Sequence, residues 1–391
     1  MKFRLSAALI AVFGLAACNS NSPINCPKVE RGFTSWTPAA TADDALLSGN
    51  GEMGIMVYGR PHNDVIIMNH ALSWLPSNVP PRPINQYSRL NDICRLLLDG
   101  KCQEASQIPV QQSFAEGYKG QIWSDPFVPV ADLSIEMKSG NVQNYKRMVN
   151  FETGETIVYW EQDGNWFLRS AFVSRPDSAV IISIKSSTTI DCSFGFSRHN
   201  TSWEEYQSIK DKVLNTQYTA SDSSISYSHE FAIKWDGNVS GFEGYGKIIA
   251  DGTRTSCNGS KVSIEGASEV LAIVKIEPTF TGCTAATKLP DKVNSISGSY
   301  EQLLERQRIV HGELFNRVSL TINNSATEKL PDSEPMRLRA QRQRASDGTI
   351  VNEFYAARYN IICSSGINPP NLQGIWSGSY APPWSSDFTH N

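Results

Sequence analysis

The sequence lacks the short signatures of several large enzyme classes. It contains no G-x-S-x-G, no H-E-x-x-H and no C-x-x-C, and only six histidines, so serine-hydrolase and zinc chemistry have no support in it. It also lacks an excess of either charge: a net charge of −4 on 391 residues excludes the basic footprint of a nucleic-acid binder. Past the first seventeen residues no apolar run is long enough to span a bilayer. Paired cysteines are not assured either. Seven of the eight lie beyond Cys18, an odd number. Cys94 with Cys102 and Cys257 with Cys283 could close loops, or the thiols stay free and buried.

What is present begins with an export signal. Lys2 and Arg4 precede the apolar run LSAALIAVFGLAA, which is too short for an anchor helix. The run closes on Leu15-Ala16-Ala17-Cys18, similar to a bacterial lipobox, so Cys18 is expected to be lipidated and to hold the protein at a membrane surface by its acyl chains. The polar NSNSP that follows suits a tether.

From residue 33 to about 295 the signals are those of strands. GIMVYG, DVIIMN, ADLSIEM, TIVYW, FLRSAFVS, AVIISIK, SISYSHEFAIKW and VLAIVKI are short, β-branched or aromatic, and set off by Gly, Asp, Asn and Ser. Their number and spacing predict one large antiparallel sandwich. Asp64, Asp125 and Asp132 read as turn residues of it. One helical pair interrupts: Leu90, Ile93, Leu97 and Leu98 make a stripe, Gly100 breaks it, and a second short helix follows. Near Gly298 the pattern changes. Ser299 with Gln302 has capping-box spacing, and Tyr300, Leu303, Leu304, Val310 and Leu314 predict the inner face of a linker helix. A strand over VSLTI is expected next, then helices at 336–344, with Arg337, Arg339, Arg342 and Arg344 as a solvated face, and at 350–363, ending by Gly366.

Two motifs invite a functional reading. GNGEMG, with Gly49, Gly51 and Gly54, fits G-x-G-x-x-G, but a strand-like IMVYG follows where a nucleotide site needs a helix, so a strand-to-strand turn is predicted. The stretch PPNLQGIWSGSYAPPWSSDFTHN, residues 369–391, concentrates groups that recognise polyols. Asn371, Gln373 and Asn391 offer paired donors and acceptors, Trp376 and Trp384 offer stacking faces, and Pro369, Pro370, Pro382 and Pro383 stiffen the loops. A proline-rich loop with its tryptophans packed in the core accounts for the same residues equally well.

Taken together, LLSGNGEMGIMVYG (46–59), DVIIMNHALSW (64–74), ICRLLLDGKCQEA (93–105), PFVPVADLSIEM (126–137), HGELFNRVSLTI (311–322), ARYNIICSS (357–365) and PPNLQGIWSGSYAPPWSSDFT (369–389) resemble, in order, the motifs of glycoside hydrolase family 95, the inverting α-L-fucosidases. Beyond the signal peptide at 1–17 and the tether at 18–32 already read from the residues, the resemblance, which runs from about residue 33 to the end, implies an N-terminal β-sandwich (supersandwich) at 33–297, a linker helix and strand at 298–330, and the first helices of an incomplete (α/α)6 barrel at 331–391. It implies Asn391 as a catalytic residue that orients the attacking water, and Trp384, Asn371, Gln373, Trp376 and Trp74 as substrate-binding residues. An inverting glycosidase sets an activated water on one face of the sugar and an acid on the other. The remaining groups of that set are expected beyond Asn391, which makes this chain an N-terminal portion, inactive alone. No cofactor and no metal is implied. The expected partners are a fucosylated oligosaccharide or polysaccharide and, through Cys18, a membrane, at a bacterial periplasmic or cell-surface site. His70-Ala71, Gly366 and His390 depart from the family pattern and admit an α-L-galactoside as substrate. A family 65-like glycosidase or phosphorylase, or a non-catalytic carbohydrate-binding lipoprotein, are the competing readings.

Overall fold

The computed structural model describes residues 27–79, 82, 84–118, 124–251, 254–282, 288–322 and 347–387. Cys18, Cys26, Cys283, Asn391 and the arginine run at 337–344 lie outside them. The described chain is mostly β, and its fourteen strands join in one curled antiparallel network. In chain order they are β1 (Gly32–Ser35), β2 (Leu46–Gly49), β3 (Met53–Val57), β4 (Asn63–His70), β5 (Ala131–Met137), β6 (Val142–Asn150) and β7 (Glu155–Gln162). Then come β8 (Asn165–Ser174), β9 (Ala179–Ser197), β10 (Val213–Ser221), β11 (Ser224–Phe231), β12 (Val239–Ala250), β13 (Arg254–Asn258) and β14 (Lys261–Phe280). Among the described residues six α-helices accompany them: α1 (Leu90–Leu98), α2 (Cys102–Ala115), α3 (Trp203–Ile209), α4 (Leu289–Ser295), α5 (Tyr300–Asn316) and α6 (Asp347–Ser364).

Two long strands produce the curl. The first half of β9 pairs with β8 and its last residues pair with β5, while β14 runs along β9 and turns its far half to β12. Register shifts between Ile264 and Glu269 mark where β14 bends. The run AVIISI is apolar without alternation because both of its faces are covered. Val180, Ile182 and Ile184 enter the main core, while Ala179 and Ile181 join Phe172, Leu271 and Ile273 beneath α4 and α5.

Helix α5 starts where its capping box predicts, with Ser299 and Gln302 bonding each other's backbone. Its buried face differs from the apolar one expected: Tyr300, Leu303, Gln307, His311 and Phe315 point inward, and Val310 is exposed. Two polar side chains are tolerated there because they satisfy backbone. Gln307 accepts from Arg175 N and donates to Thr153 O, and His311 Nε2 lies 2.9 Å from Phe151 O.

The expected strand over VSLTI is not formed. Residues 318–322 carry no ladder, and the Tyr355 hydroxyl serves the backbone of Leu320 instead, taking its N–H and donating to its carbonyl. Two of the presumed turn aspartates are likewise strand residues. Asp64 in β4 and Asp132 in β5 are buried, because each has a cationic or hydrogen-bonding partner that makes burial tolerable. Asp125 remains in a loop, accepting from Ser77 N at 2.7 Å. The α1–α2 hairpin forms around Gly100 as expected, but Leu90, Leu97 and Leu98 are exposed. Cys94, Cys102 and Cys257 are exposed free thiols and Cys192 and Cys363 buried ones, so the Cys94–Cys102 bridge is absent.

A candidate saccharide-site segment at residues 369–387

The glycine motif is a strand-to-strand turn, as predicted, with Gly49 opposite Gly54 in the β2–β3 ladder. Glycine is required there by close approach from later chain. At Gly51, whose φ is +85°, a Cβ would fall 2.0 Å from Ser365 O, and at Gly54 it would meet Ile375 O and the Trp376 ring at 2.9 Å. The end of α6 and the segment after it therefore lie directly on this turn. Helix α6 is anchored by Tyr359, whose hydroxyl donates to Leu47 O at 2.7 Å and whose ring stacks on Phe151 at 4.8 Å. Gly51 N donates to Cys363 O at 2.8 Å. Arg358 reaches the carbonyls of Leu314 and Phe315, where a cation complements the C-terminal end of α5.

Beyond α6, residues 369–387 have almost no regular structure, yet nearly every turn is tied down. Asn371 Oδ1 accepts from Gln373 N at 2.9 Å, and the Gln373 side-chain Oε1 accepts from the buried Ser386 hydroxyl at 2.6 Å. Trp376 is buried and donates its indole N–H to Ser48 O at 3.0 Å. Ser377 N donates to Asn69 Oδ1 at 3.1 Å. His199 Nε2 lies 3.0 Å from Gly378 O. One oxygen of Glu205 accepts from the Ser379 hydroxyl at 2.5 Å, from Ala381 N at 3.0 Å and from Tyr380 N. Phe127 N donates to Ser385 O at 3.0 Å, and Phe127 pairs with Trp74, their rings 5.2 Å apart.

Trp384, Ser385 and Ser386 follow one another in the left-handed region, with φ of +57°, +54° and +55°. Each such residue carries a backbone cost of about 1–2 kcal/mol, and such strain persists only where surroundings impose it. Here the Phe127 and Gln373 bonds do so, and they present the Trp384 ring with 77% of its surface exposed.

The charges beneath the segment are unequal. His199 Nδ1 lies 2.8 Å from Asp132 Oδ1, and Asp132 Oδ2 accepts from Asn200 N at 3.1 Å. Burial disfavours the His199 cation, but the bond to Asp132 and the charges of Asp132 and Glu205 outweigh it, and the His199 pKa is raised above its usual value. Burial would raise the Glu205 carboxyl, yet the bonds from Ser379, Thr201, Tyr380 and Ala381 hold it below the usual carboxylate value. Burial pushes the Tyr380 phenol up. Among Tyr227, Phe231 and Phe242, burial takes His229 down to about 3.

Of the residues nominated from sequence, Trp384, Asn371, Gln373 and Trp376 are thus brought together in one segment, and Trp74 joins it through Phe127. Trp376 faces the core, while Trp384 faces solvent. Asn69, Asp132, His199 and Glu205 were not nominated, and no local pattern marks them, since each meets the segment only in three dimensions. Among the described residues no three His, Cys, Asp or Glu side chains converge as a metal site requires, and no helix is long and apolar enough to cross a membrane. A separate groove of about 560 Å³ between α5 and the β6–β7 turn, lined by Glu152, Glu155, Arg308 and Glu313, contains none of the nominated residues.

Residues 33–282 match the glycosyl hydrolase family 65 N-terminal domain, and residues 299–391 match the glycosyl hydrolase family 95 catalytic domain. Alpha-L-fucosidase 2 of Arabidopsis thaliana is 25% identical over 90% of this chain and 44% of its own length. Probable alpha-fucosidase A of Aspergillus niger is 21% identical over 89% of the chain and 44% of its own length. A structure solved from the human microbiome under the name of a kojibiose phosphorylase superposes with a TM-score of 0.49 at 10% identity, covering 88% of this chain and 43% of its own. The chain therefore spans less than half the length of these relatives.

Proposed function

Because the chain belongs to the glycoside hydrolases that join a family 65 N-terminal domain to a family 95 catalytic domain, we propose that its protein is an exported, lipid-anchored glycosidase that removes terminal α-linked L-fucose from glycans. The coarser part of this reading, a fucosidase-type glycosidase with a glycan substrate, is supported by the names of its relatives. The sugar, the linkage, the inverting course and the anchor are the proposal's own content.

The observation that carries it is the 369–387 segment. A polyol-recognising stretch is pinned at Ser48, Asn69, His199 and Glu205, so the strained Trp384 turn is held still while its ring stays open to solvent. An aromatic face so held stacks on the apolar face of a sugar ring without first being ordered. In this reading α6 opens the (α/α)6 barrel, the sheet is the supersandwich that buttresses it, and Asn391, four residues past Asp387, orients the water. A carboxylate takes the proton from that water, since an amide is no base.

The departure at His70-Ala71 concerns packing. His70 is buried, its ring lies 5.4 Å from that of Phe242, and its Nδ1 accepts from Leu72 N at 3.1 Å. It supplies no reason to prefer an α-L-galactoside.

The test is release of L-fucose, against L-galactose, from a panel of α-linked oligosaccharides by the protein expressed from its intact gene. Release of neither sugar removes the enzyme proposal. Partition into a detergent phase, lost in Cys18→Ser, checks the anchor; partition unchanged by that substitution removes it.

A further inference from the structure

His199 sits between two acceptors. Its Nδ1 is 2.8 Å from an Asp132 carboxylate oxygen and its Nε2 is 3.0 Å from the Gly378 carbonyl. A neutral imidazole has one N–H and one lone pair, so it satisfies one acceptor and sets a lone pair against the other. With a carboxylate at Nδ1 and a carbonyl at Nε2, only the imidazolium, with both nitrogens protonated, fits both contacts. The ring is buried, so water does not relieve the mismatch.

We propose that the His199 imidazolium is a positioning residue for the 376–381 segment, joining it to β5 through Asp132, and that the segment loosens when His199 gives up its proton. Every element around the ring bears on this. Asp132 comes from β5, Glu205 from α3 grips Ser379, Tyr380 and Ala381, and the Tyr380 ring lies edge-on to His199 at 5.8 Å. Arg198, the neighbouring cation, is directed away, its guanidinium 3.8 Å above the Tyr206 ring. The anionic neighbours Asp132 and Glu205 favour the proton, and burial disfavours it. Glu205 holds the next three residues by a carboxylate that stays ionised through neutral pH. The segment thus has one pH-insensitive grip and one that titrates.

The link to sugar recognition rests on the functional reading above, but the positioning itself is measurable without a sugar. Amide hydrogen exchange followed by mass spectrometry, corrected for intrinsic rates, reads protection of a peptide over 376–381 between about pH 5.5 and 9, with a peptide over 268–276 of β14 as internal control. In the wild type, protection of 376–381 is expected to fall on the order of tenfold across the loss of the proton, the loss expected when a single hydrogen bond to a charged group is no longer made, while the β14 peptide stays constant. In His199→Gln the segment is expected to exchange fast at every pH, with no slope. A flat wild-type profile overturns the proposal, and so does a slope that survives in His199→Gln. If His199→Gln loses β14 protection as well, it has unfolded and the wild-type profile alone decides. Fucose release has no part in these readings, so a failed sugar assay leaves them standing, and a failed exchange result leaves the enzyme reading standing.

Discussion

Asp64 and Asp132 lie on paired strands, β4 and β5, and both are buried, yet the regions around them behave differently. Asp64 meets Arg169, which is 2% exposed. One guanidinium nitrogen sits 2.5 Å from Asp64 Oδ2 and 2.7 Å from Arg60 O, and Asp64 Oδ1 accepts from Arg60 N and Val65 N. Asp132 meets His199, and through it the Gly378 carbonyl. A guanidinium stays protonated at any pH a protein meets, whereas an imidazole does not. The sheet thus uses the same buried carboxylate twice, once as a fixed rivet between β4 and β8 and once as the seat of a titratable link to the segment proposed to face substrate.

The rivet is the more expensive to break. Arg169→Met leaves the Asp64 charge in a dry interior without its counter-charge and is expected to cost about 3–5 kcal/mol, read as a shift of the denaturant midpoint at unchanged slope. The loss should be the same at pH 6 and pH 9. A loss under about 1 kcal/mol, in the range of an exposed pair, would show that water enters around Asp64 and would dissolve the distinction.

His199→Gln is expected to cost less, about 1.5–3 kcal/mol near pH 6, the range of a hydrogen bond to a charged group, and its cost should depend on pH. The folded pKa of His199 is raised above 6.5. Its contribution is therefore fully present below pH 6.5 and lost as pH rises through the folded value. The substitution should flatten the alkaline side of the wild-type stability profile. It should leave the acid side unchanged, because that side belongs to other groups: carboxylates such as Glu52, which its contact with His70 holds down to about 2, and other histidines. Burial lowers His229 to about 3 and His311 to about 4. The unfolded chain takes up those protons below pH 6.5 and the folded one does not, so stability falls on acidification by up to about 1.4 kcal/mol per pH unit for each group. Calorimetric unfolding of both proteins across pH 4–9 checks both limbs.

The same contrast explains what was legible in the amino-acid sequence. The strands were, since β-branched runs such as AVIISI and VLAIVKI have few other uses, and so were the α5 capping box and the glycine turn. The reason for the glycines was not, because the chain that presses on them comes about three hundred residues later. The inner face of α5 is not legible in sequence, because Gln307 and His311 are polar and their backbone partners invisible in one dimension. In sequence alone Asp64 and Asp132 read as turn residues, the ordinary fate of Asp. Their partners, Arg169 and His199, stand 105 and 67 positions away. The aromatic and amide content of 369–387 was visible. What holds it still was not, since Glu205 lies 174 residues from Ser379.

The smallest effect separates the two grips on that segment. Glu205→Gln keeps an oxygen that accepts from Tyr380 N and Ala381 N, so what it removes is the charge on the acceptor of those bonds. The expected cost is about 0.5–1.5 kcal/mol, that of a modest hydrogen-bond weakening, with no slope between pH 6.5 and 9 of its own. The charge also favours the proton on His199. Its removal should therefore move the alkaline fall in stability toward lower pH, and the double variant with His199→Gln should show no such movement. In a double-mutant cycle the two substitutions should couple by at least about 0.5 kcal/mol near pH 6 and by less near pH 9, where the imidazolium is gone. Strict additivity at both values would mean that Glu205 and His199 hold the segment independently, and the titratable link would then be Asp132 and His199 alone.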